Sequence, residues 1–501
     1  MSLNSRRGFL RGSTSVAALS FIGTMQALQA RNANAATGST GLVASPYGPV
    51  APALDEATGL PLLQLPEGFA YRSYGWTGDQ MDNGQPCPSN HDGMAVIASY
   101  GRGNSVDVVL VRNHERGQST SLIQAPAMYD TASSSVNGRF AGGGTTNLRF
   151  KGRQWLGMEA SLGGTLTNCA GGPTPWGTWL TCEETGSNLE SQGGKKHGYV
   201  FEVRANAAET TGKPIVAMGR FSHEAVAVDP KTRFAYLTED NRNKSGFYRF
   251  IPNDASGRPG SYEAGGKLQM AKVVGKANAD LNVASTGDTH SLEWVDIAAP
   301  DANPASIALP GFVGTTSVAG PFAQGWAQGG LRMARGEGIW YRDGKLFIVD
   351  TATGVNAAGA GAGGNGEGAV WEYDLATGML KAVFVSLDAV AANNPDNITI
   401  SPRGGVLLCE DGGGVDDQGQ GRIERLVGLT PDGASFVFAR HNVNLGAEQI
   451  ASAGKMVAPG DYRSSEFCGA CFDPAGKVLF VNVQSPGITF AIWGPWARGP
   501  L

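Results

Sequence analysis

The sequence predicts an all-β fold, a six-bladed β-propeller with loop insertions, on three observations. Glycine supplies 73 of 501 residues, about twice the usual share of roughly 7%, with no collagen-like period, so the glycines belong to turns. Six short apolar runs share one shape. Ahead of each lies a partner segment that opens on polar residues. Short strands separated by turns mark an all-β chain. Repetition of one hairpin marks a propeller, whose innermost strands line a central channel.

The six runs lie at 108–113, 179–184, 234–240, 346–350, 406–411 and 478–483. Each is a succession of apolar or β-branched residues, the pattern of a strand buried on both faces. Their partners open at His91-Asp92, Asn168-Cys169, His223-Glu224, Arg335-Gly336-Glu337, Asp396-Asn397 and Glu466-Phe467. Turns such as Asp229-Pro230-Lys231-Thr232 and Asp473-Pro474-Ala475-Gly476 join partner to run; proline presets φ and glycine accepts positive φ. The widest spacing between runs implies an insertion within 267–333. Its stretch 311–330, rich in Gly, Ala and Ser, is expected to form a loop or cap over one mouth.

The chain opens with Arg6-Arg7 before Phe9-Leu10, a moderately apolar run at 13–28, and Ala33-Asn34-Ala35. That order is a signal peptide, and the paired arginines mark the twin-arginine route for folded proteins. The run is shorter than the ~20 residues of a membrane span and contains polar residues. The expected organisation is a twin-arginine signal at 1–35, a linker at 36–60 and one six-bladed domain at 61–501. The product is expected to be periplasmic or secreted, a monomer, and a client of the twin-arginine translocase. Net charge is −5, and removing the first 35 residues leaves 35 basic against 44 acidic residues. Nucleic-acid binding, which needs a basic footprint, is not expected. An acidic protein that handles an anion needs local positive charge, which bound metal supplies directly.

A lone Asp or Glu after a strand is ordinarily a turn residue, but a propeller brings equivalent points of all blades to one axis. Glu224, Glu337, Asp396, Glu410 and Glu466, with the amide of Asn397, occupy such points. Carboxylates packed around a channel repel one another, and hard cations such as calcium relieve that repulsion through oxygen ligands. Cys169 would select a softer metal, iron or zinc, but its spacing from Cys182 equally suits a disulfide across the hairpin. Cys468 and Cys471 read as a local disulfide or two buried thiols. Six histidines without a paired spacing make a histidine-built zinc site unexpected; His91, His114 and His223 are expected to orient carboxylates. Arg335, two residues before Glu337, reads either as a salt bridge to the acidic ring or as an anion clamp, since a guanidinium matches phosphate oxygens in bidentate fashion.

The segment Asn168-Cys169-Ala170-Gly171-Gly172-Pro173-Thr174-Pro175-Trp176-Gly177-Thr178-Trp179-Leu180-Thr181-Cys182-Glu183-Glu184 resembles the signature of the PhoX-type alkaline phosphatases. So do Gly219-Arg220-Phe221-Ser222-His223-Glu224, Pro395-Asp396-Asn397, and the ending from Gln484 to Ile492. The resemblance runs from about residue 60 to the C-terminus. It implies a periplasmic phosphomonoesterase on a six-bladed propeller, with a ferric iron pair and bound calcium. It makes Cys169 an iron ligand, Glu224 and Glu337 ligands shared between metals, and Arg335 a residue for substrate phosphate. Asp396, Asn397, Glu410 and Glu466 join the cluster by motif position and blade equivalence.

The expected activity is therefore hydrolysis of small-molecule phosphate monoesters, with metal neutralising charge and Arg335 stabilising the equatorial oxygens. A calcium-dependent propeller lactonase or esterase would present a similar carboxylate-lined channel without a thiolate or iron. A non-catalytic binding propeller would tolerate loss of the central acids.

Overall fold

The computed structural model describes residues 41–101, 105–355, 362–412, 421–430 and 432–501. The expected signal at 1–35 and the start of the expected linker lie outside the described residues. Six antiparallel hairpins form where the apolar runs predict them. Their first strands are His91–Ser99, Asn168–Pro173, His223–Val228, Gly336–Arg342, Pro395–Ile400 and Phe467–Phe472. Their second strands are Asp107–His114, Thr178–Glu183, Ala235–Glu239, Lys345–Asp350, Val406–Glu410 and Val478–Val483. Thr178–Glu183, Ala235–Glu239, Val406–Glu410 and Val478–Val483 are buried along their whole length, which is why their sequences are apolar throughout rather than alternating.

The arrangement is all-β and propeller-like. Each first strand packs against the first strand of the next hairpin, and the sixth packs against the first. Apolar side chains fill the space between successive sheets: Met94, Ile97 and Val111 meet Phe480 and Trp493, and Phe347 and Val349 meet Ile398 and Leu408. Each such buried side chain contributes roughly 1.5–3 kcal/mol. Ala70–Tyr74 pairs with Ile488–Trp493, so a strand from the start of the chain completes the last sheet. Among the described residues no helix is long and apolar enough to cross a membrane.

Two expectations need correction. Part of the segment read as linker is built into the fold, because Val50–Ala53 pairs with Leu63–Pro66 and so extends the sheet of Ser435–His441. The insertion at 267–333 is more than the loop or cap expected. Thr289–Asp296 pairs with Met379–Val385, joining the third and fourth hairpins into one nine-stranded sheet at their outer edges. A helix, Gly320–Ala327, packs Phe322 into the core beneath it.

One local feature repeats. Each hairpin has a register shift near the start of its first strand, where an extra residue is inserted. In five of them the residue after the first pair, which opens the bulge, is Asp92, Cys169, Glu224, Glu337 or Asp396. In the sixth the shift follows Cys468. A bulge bends the strand and re-aims one side chain. Five bulges at equivalent places therefore re-aim a potential metal ligand each, and Cys169, Glu224, Glu337 and Asp396 among them face one space; in the sixth the opening residue is Gly469.

Candidate metal centre

That space is a cleft of about 520 Å³. Glu115, Glu184, Glu224, Glu337, Asp396, Asp411, Asp461 and Glu466 line it, with Cys169, Arg335 and Arg422. Two tiers supply the acids. Glu224, Glu337 and Asp396 come from the bulges, while Glu115, Glu184 and Asp411 directly follow the last residue of a second strand.

Ligand atoms fall into four overlapping groups, each within 4.8 Å: Cys169, Glu184 and Glu224; Glu224, Glu337 and Asp396; Asp396, Asp411 and Glu466; and Asp92, Glu466 and Cys468. Cys169 Sγ lies 3.3 Å from Glu224 Oε1. Glu224 Oε2 is buried without a hydrogen-bond partner. Glu337 Oε1 is also buried and unbonded, although the Arg335 guanidinium sits 3.0 Å away as an ion pair. Burial first, then the neighbouring carboxylates, push Glu184, Glu224, Glu337 and Glu466 well above the usual carboxylate range. The same causes bring Asp396 to about 7, with Asp411 the largest neighbour. Burial and then Asp92 and Glu224 push the Cys169 thiol up. A pocket of buried, mutually repelling acids with orphaned oxygens suits multivalent cations, and the sulfurs of Cys169 beside Glu184 and Glu224 and of Cys468 beside Asp92 and Glu466 make those two groups softer than the all-oxygen groups between them.

Arg335 bridges both tiers. Its Nε and Nη2 donate to Asp240 at 2.8 and 2.5 Å, and Nη2 also faces Glu337. The side chain is 25% exposed, so the fork is fixed on its inner edge and open to the cleft. The Glu337 and Asp240 carboxylates outweigh burial and keep it protonated.

The other expected residues divide. Asn397 donates to Asp396 Oδ1 at 2.6 Å and accepts from the Gly469 N–H at 2.7 Å, which ties two first strands together beside the acids. Glu410 is not in the cleft. It forms a buried pair with Arg425, at 2.6 Å to both Nε and Nη2, and accepts from the Asn393 N–H. Its successor Asp411 holds the cleft position. Nor do His91, His114 and His223 orient carboxylates: His91 meets Arg112 and the Pro88 carbonyl, His114 the Ser89 carbonyl and Thr146, and His223 the Gly219 carbonyl. The histidine that does is His197, set between Glu183 at 2.6 Å and Asp130 at 3.4 Å. Sequence reading named Asp92 only as a strand opening and Glu184 and Asp411 only as strand ends, and missed Glu115, though all four belong to or adjoin a recognised hairpin. All six cysteines are free and buried, so neither the Cys169–Cys182 nor the Cys468–Cys471 bridge is present.

A family model described as alkaline phosphatase PhoX matches residues 45–160 and 152–487. Among solved structures the chain is similar to Pseudomonas fluorescens PhoX in complex with vanadate, a transition state analogue. Identity there is 18%, the TM-score is 0.60, and the match covers 90% of this chain and 98% of that one. Weaker matches are Kuenenia stuttgartiensis hydrazine synthase, at 13% identity and TM-score 0.29 over 69% and 88% of the two chains, and the PQQ domain of Coprinopsis cinerea pyranose dehydrogenase, at 8% and 0.27 over 86% and 97%. No curated protein matches the sequence. Because the family match spans most of the chain, this protein belongs to the PhoX family of alkaline phosphatases.

Proposed function

We propose that the chain hydrolyses small phosphate monoesters at a cluster of ferric iron and calcium held in the channel of a six-bladed propeller. The observation that carries this reading is the set of overlapping acid groups with two orphaned carboxylate oxygens. Cys169, Glu184, Glu224 and Glu337 would hold the iron, the thiolate selecting the softer metal. Asp396, Asp411 and Glu466 would hold calcium through oxygen, with Asn397 keeping Asp396 in place. When bound, the metals supply positive charge that draws electron density from the phosphoryl oxygens.

The protein's own residues do the rest. Asp240 and Glu337 lock the Arg335 fork, so its outer N–H groups are placed before substrate arrives and need no reorganisation as charge develops on the equatorial oxygens. Burial and the neighbouring acids keep Cys169 a thiol in metal-free protein, and it would hold a metal as the thiolate. The sequence at 1–35 is proposed to direct export by the twin-arginine translocase to the periplasm, where extracellular esters are met; the remaining chain forms the catalytic domain.

Metal analysis and turnover on one purified preparation test the reading. Iron together with calcium is expected, with hydrolysis of p-nitrophenyl phosphate lost on chelation. Calcium without iron, in protein inactive on phosphate esters, would overturn it in favour of a lactonase-type propeller.

A further inference from the structure

Many arginines of this protein are paired with carboxylates: Arg72 with Glu56, Arg220 with Asp301, Arg332 with Asp280. Arg153, Arg403 and Arg498 have no carboxylate partner among the described residues. All three line a single cleft of about 870 Å³, joined there by Lys477. The one acid among its lining residues, Glu56, is already engaged by Arg72 at 3.3 Å. Arg403 and Lys477 belong to turns between first and second strands, the ends of the hairpins opposite the acidic cleft. The two clefts thus sit at opposite ends of the same strands, one acidic and one basic.

Each guanidinium is held from one side only. Arg403 Nη1 donates to the Gly476 carbonyl at 2.7 Å, and Arg498 Nη1 to the Glu67 carbonyl at 3.0 Å. Arg153 lies over the Trp493 ring, 5.0 Å from its centre. These contacts orient the planar forks and leave their other N–H donors without a protein acceptor among the described residues. In a chain of net charge −5, three arginines without a carboxylate partner among the described residues, gathered in one cleft, attract anions.

We propose that this cleft binds a phosphate-bearing anion at a site separate from the substrate site, either the headgroup of an anionic phospholipid or free phosphate. Forked guanidinium donors match phosphate oxygens. The volume and the apolar contribution of Val106, Val478 and Trp493 to the lining favour the lipid, whose glycerol and upper chain carbons have surface to rest on. An enzyme held by this end presents its acidic cleft away from the membrane.

The test uses metal-loaded enzyme and a variant carrying Arg153→Gln, Arg403→Gln and Arg498→Gln. Co-sedimentation is measured with vesicles of phosphatidylglycerol in phosphatidylcholine, and with phosphatidylcholine alone. Equilibrium dialysis measures inorganic phosphate. Salt-sensitive binding to the anionic vesicles is expected, weakened roughly 100-fold in the triple variant, with hydrolysis of p-nitrophenyl phosphate unchanged. Loss of one phosphate equivalent without vesicle binding would identify free phosphate as the ligand. If native and variant proteins match in both arms, or native protein binds both vesicle types equally, the proposal fails. Should the triple variant lose activity through misfolding, the three single variants are compared instead, and the site requires each to weaken binding in the same arm.

Discussion

Glu410 and Asp411 are neighbours in sequence, yet they belong to two different electrostatic regions. Glu410 is buried against Arg425 and a backbone N–H. It has counterparts behind the cleft: Glu183 accepts from the N–H groups of Leu166, Gly198 and Tyr199, and Asp350 from those of Ala334 and Arg335. In the cleft, Glu224 and Glu337 each keep a buried oxygen without a hydrogen bond. The same residue types are satisfied in one region and left wanting in the other. Buried charge that the protein itself completes is structure, and buried charge that it leaves incomplete is a site for cations.

Amide substitutions separate the two regions most strongly. Glu224→Gln is expected to lower phosphatase activity well beyond the roughly 10–100-fold typical of a group that merely supports a ligand, and to reduce iron content, while metal-free protein melts no lower than native. Glu410→Gln is expected to do the opposite: removing one partner of a buried ion pair costs about 3–5 kcal/mol, so the melting temperature falls while the folded fraction keeps its metal. Melting curves and metal analysis on both variants decide it, and a stability loss for Glu224→Gln as large as that for Glu410→Gln would dissolve the distinction.

Arg335 touches both kinds of environment and so sharpens the boundary. If its open edge serves substrate, Arg335→Ala should lower kcat/KM by about 10²-fold, or about 2.7 kcal/mol, with Arg335→Lys restoring little because a point charge does not reproduce the fork. Metal content should stay normal. A fall in metal that parallels the fall in activity would mean that Arg335 acts only by holding Glu337.

The smallest effect is in pH. Asp396 and Glu115 reach about 7 in metal-free protein, chiefly through burial. The native state therefore keeps protons that the unfolded chain has lost, and stability should decline as pH rises from about 4 to 7. For His197, burial lowers the value but Glu183 and Asp130 prevail and raise it to about 9. Its contribution should be intact below about 6.5 and disappear as pH passes 9. Metal loading should flatten the first decline and leave the second, and His197→Gln should flatten only the second. Chemical denaturation across pH, with and without metal, resolves the two windows.

The hairpins were legible because strands buried on both faces leave unbroken apolar runs. Cys169, Glu224, Glu337, Asp396 and Glu466 were legible because each opens a first strand. Glu410 was misplaced by one residue, and in a strand one residue is the other face; nothing in Cys409-Glu410-Asp411 says which acid turns inward without the position of Arg425. The histidines misled because each meets a backbone carbonyl, which carries no sequence signal, rather than a carboxylate. The insertion read as a cap because the pairing of Thr289–Asp296 with Met379–Val385 is long-range, and its alternating, half-exposed pattern gives no hint of a partner so far along the chain.

The pairing of Ala70–Tyr74 with Ile488–Trp493 has a temporal meaning. The first strand of that pair leaves the ribosome about 400 residues before its partner exists, and until then the circle of sheets has an open seam with unpaired N–H and C=O groups on both lips. Completion of this sheet thus waits until Ile488–Trp493 has been made. A chain cut before Ile488 loses this pairing and with it the clasp between an early strand and the last sheet.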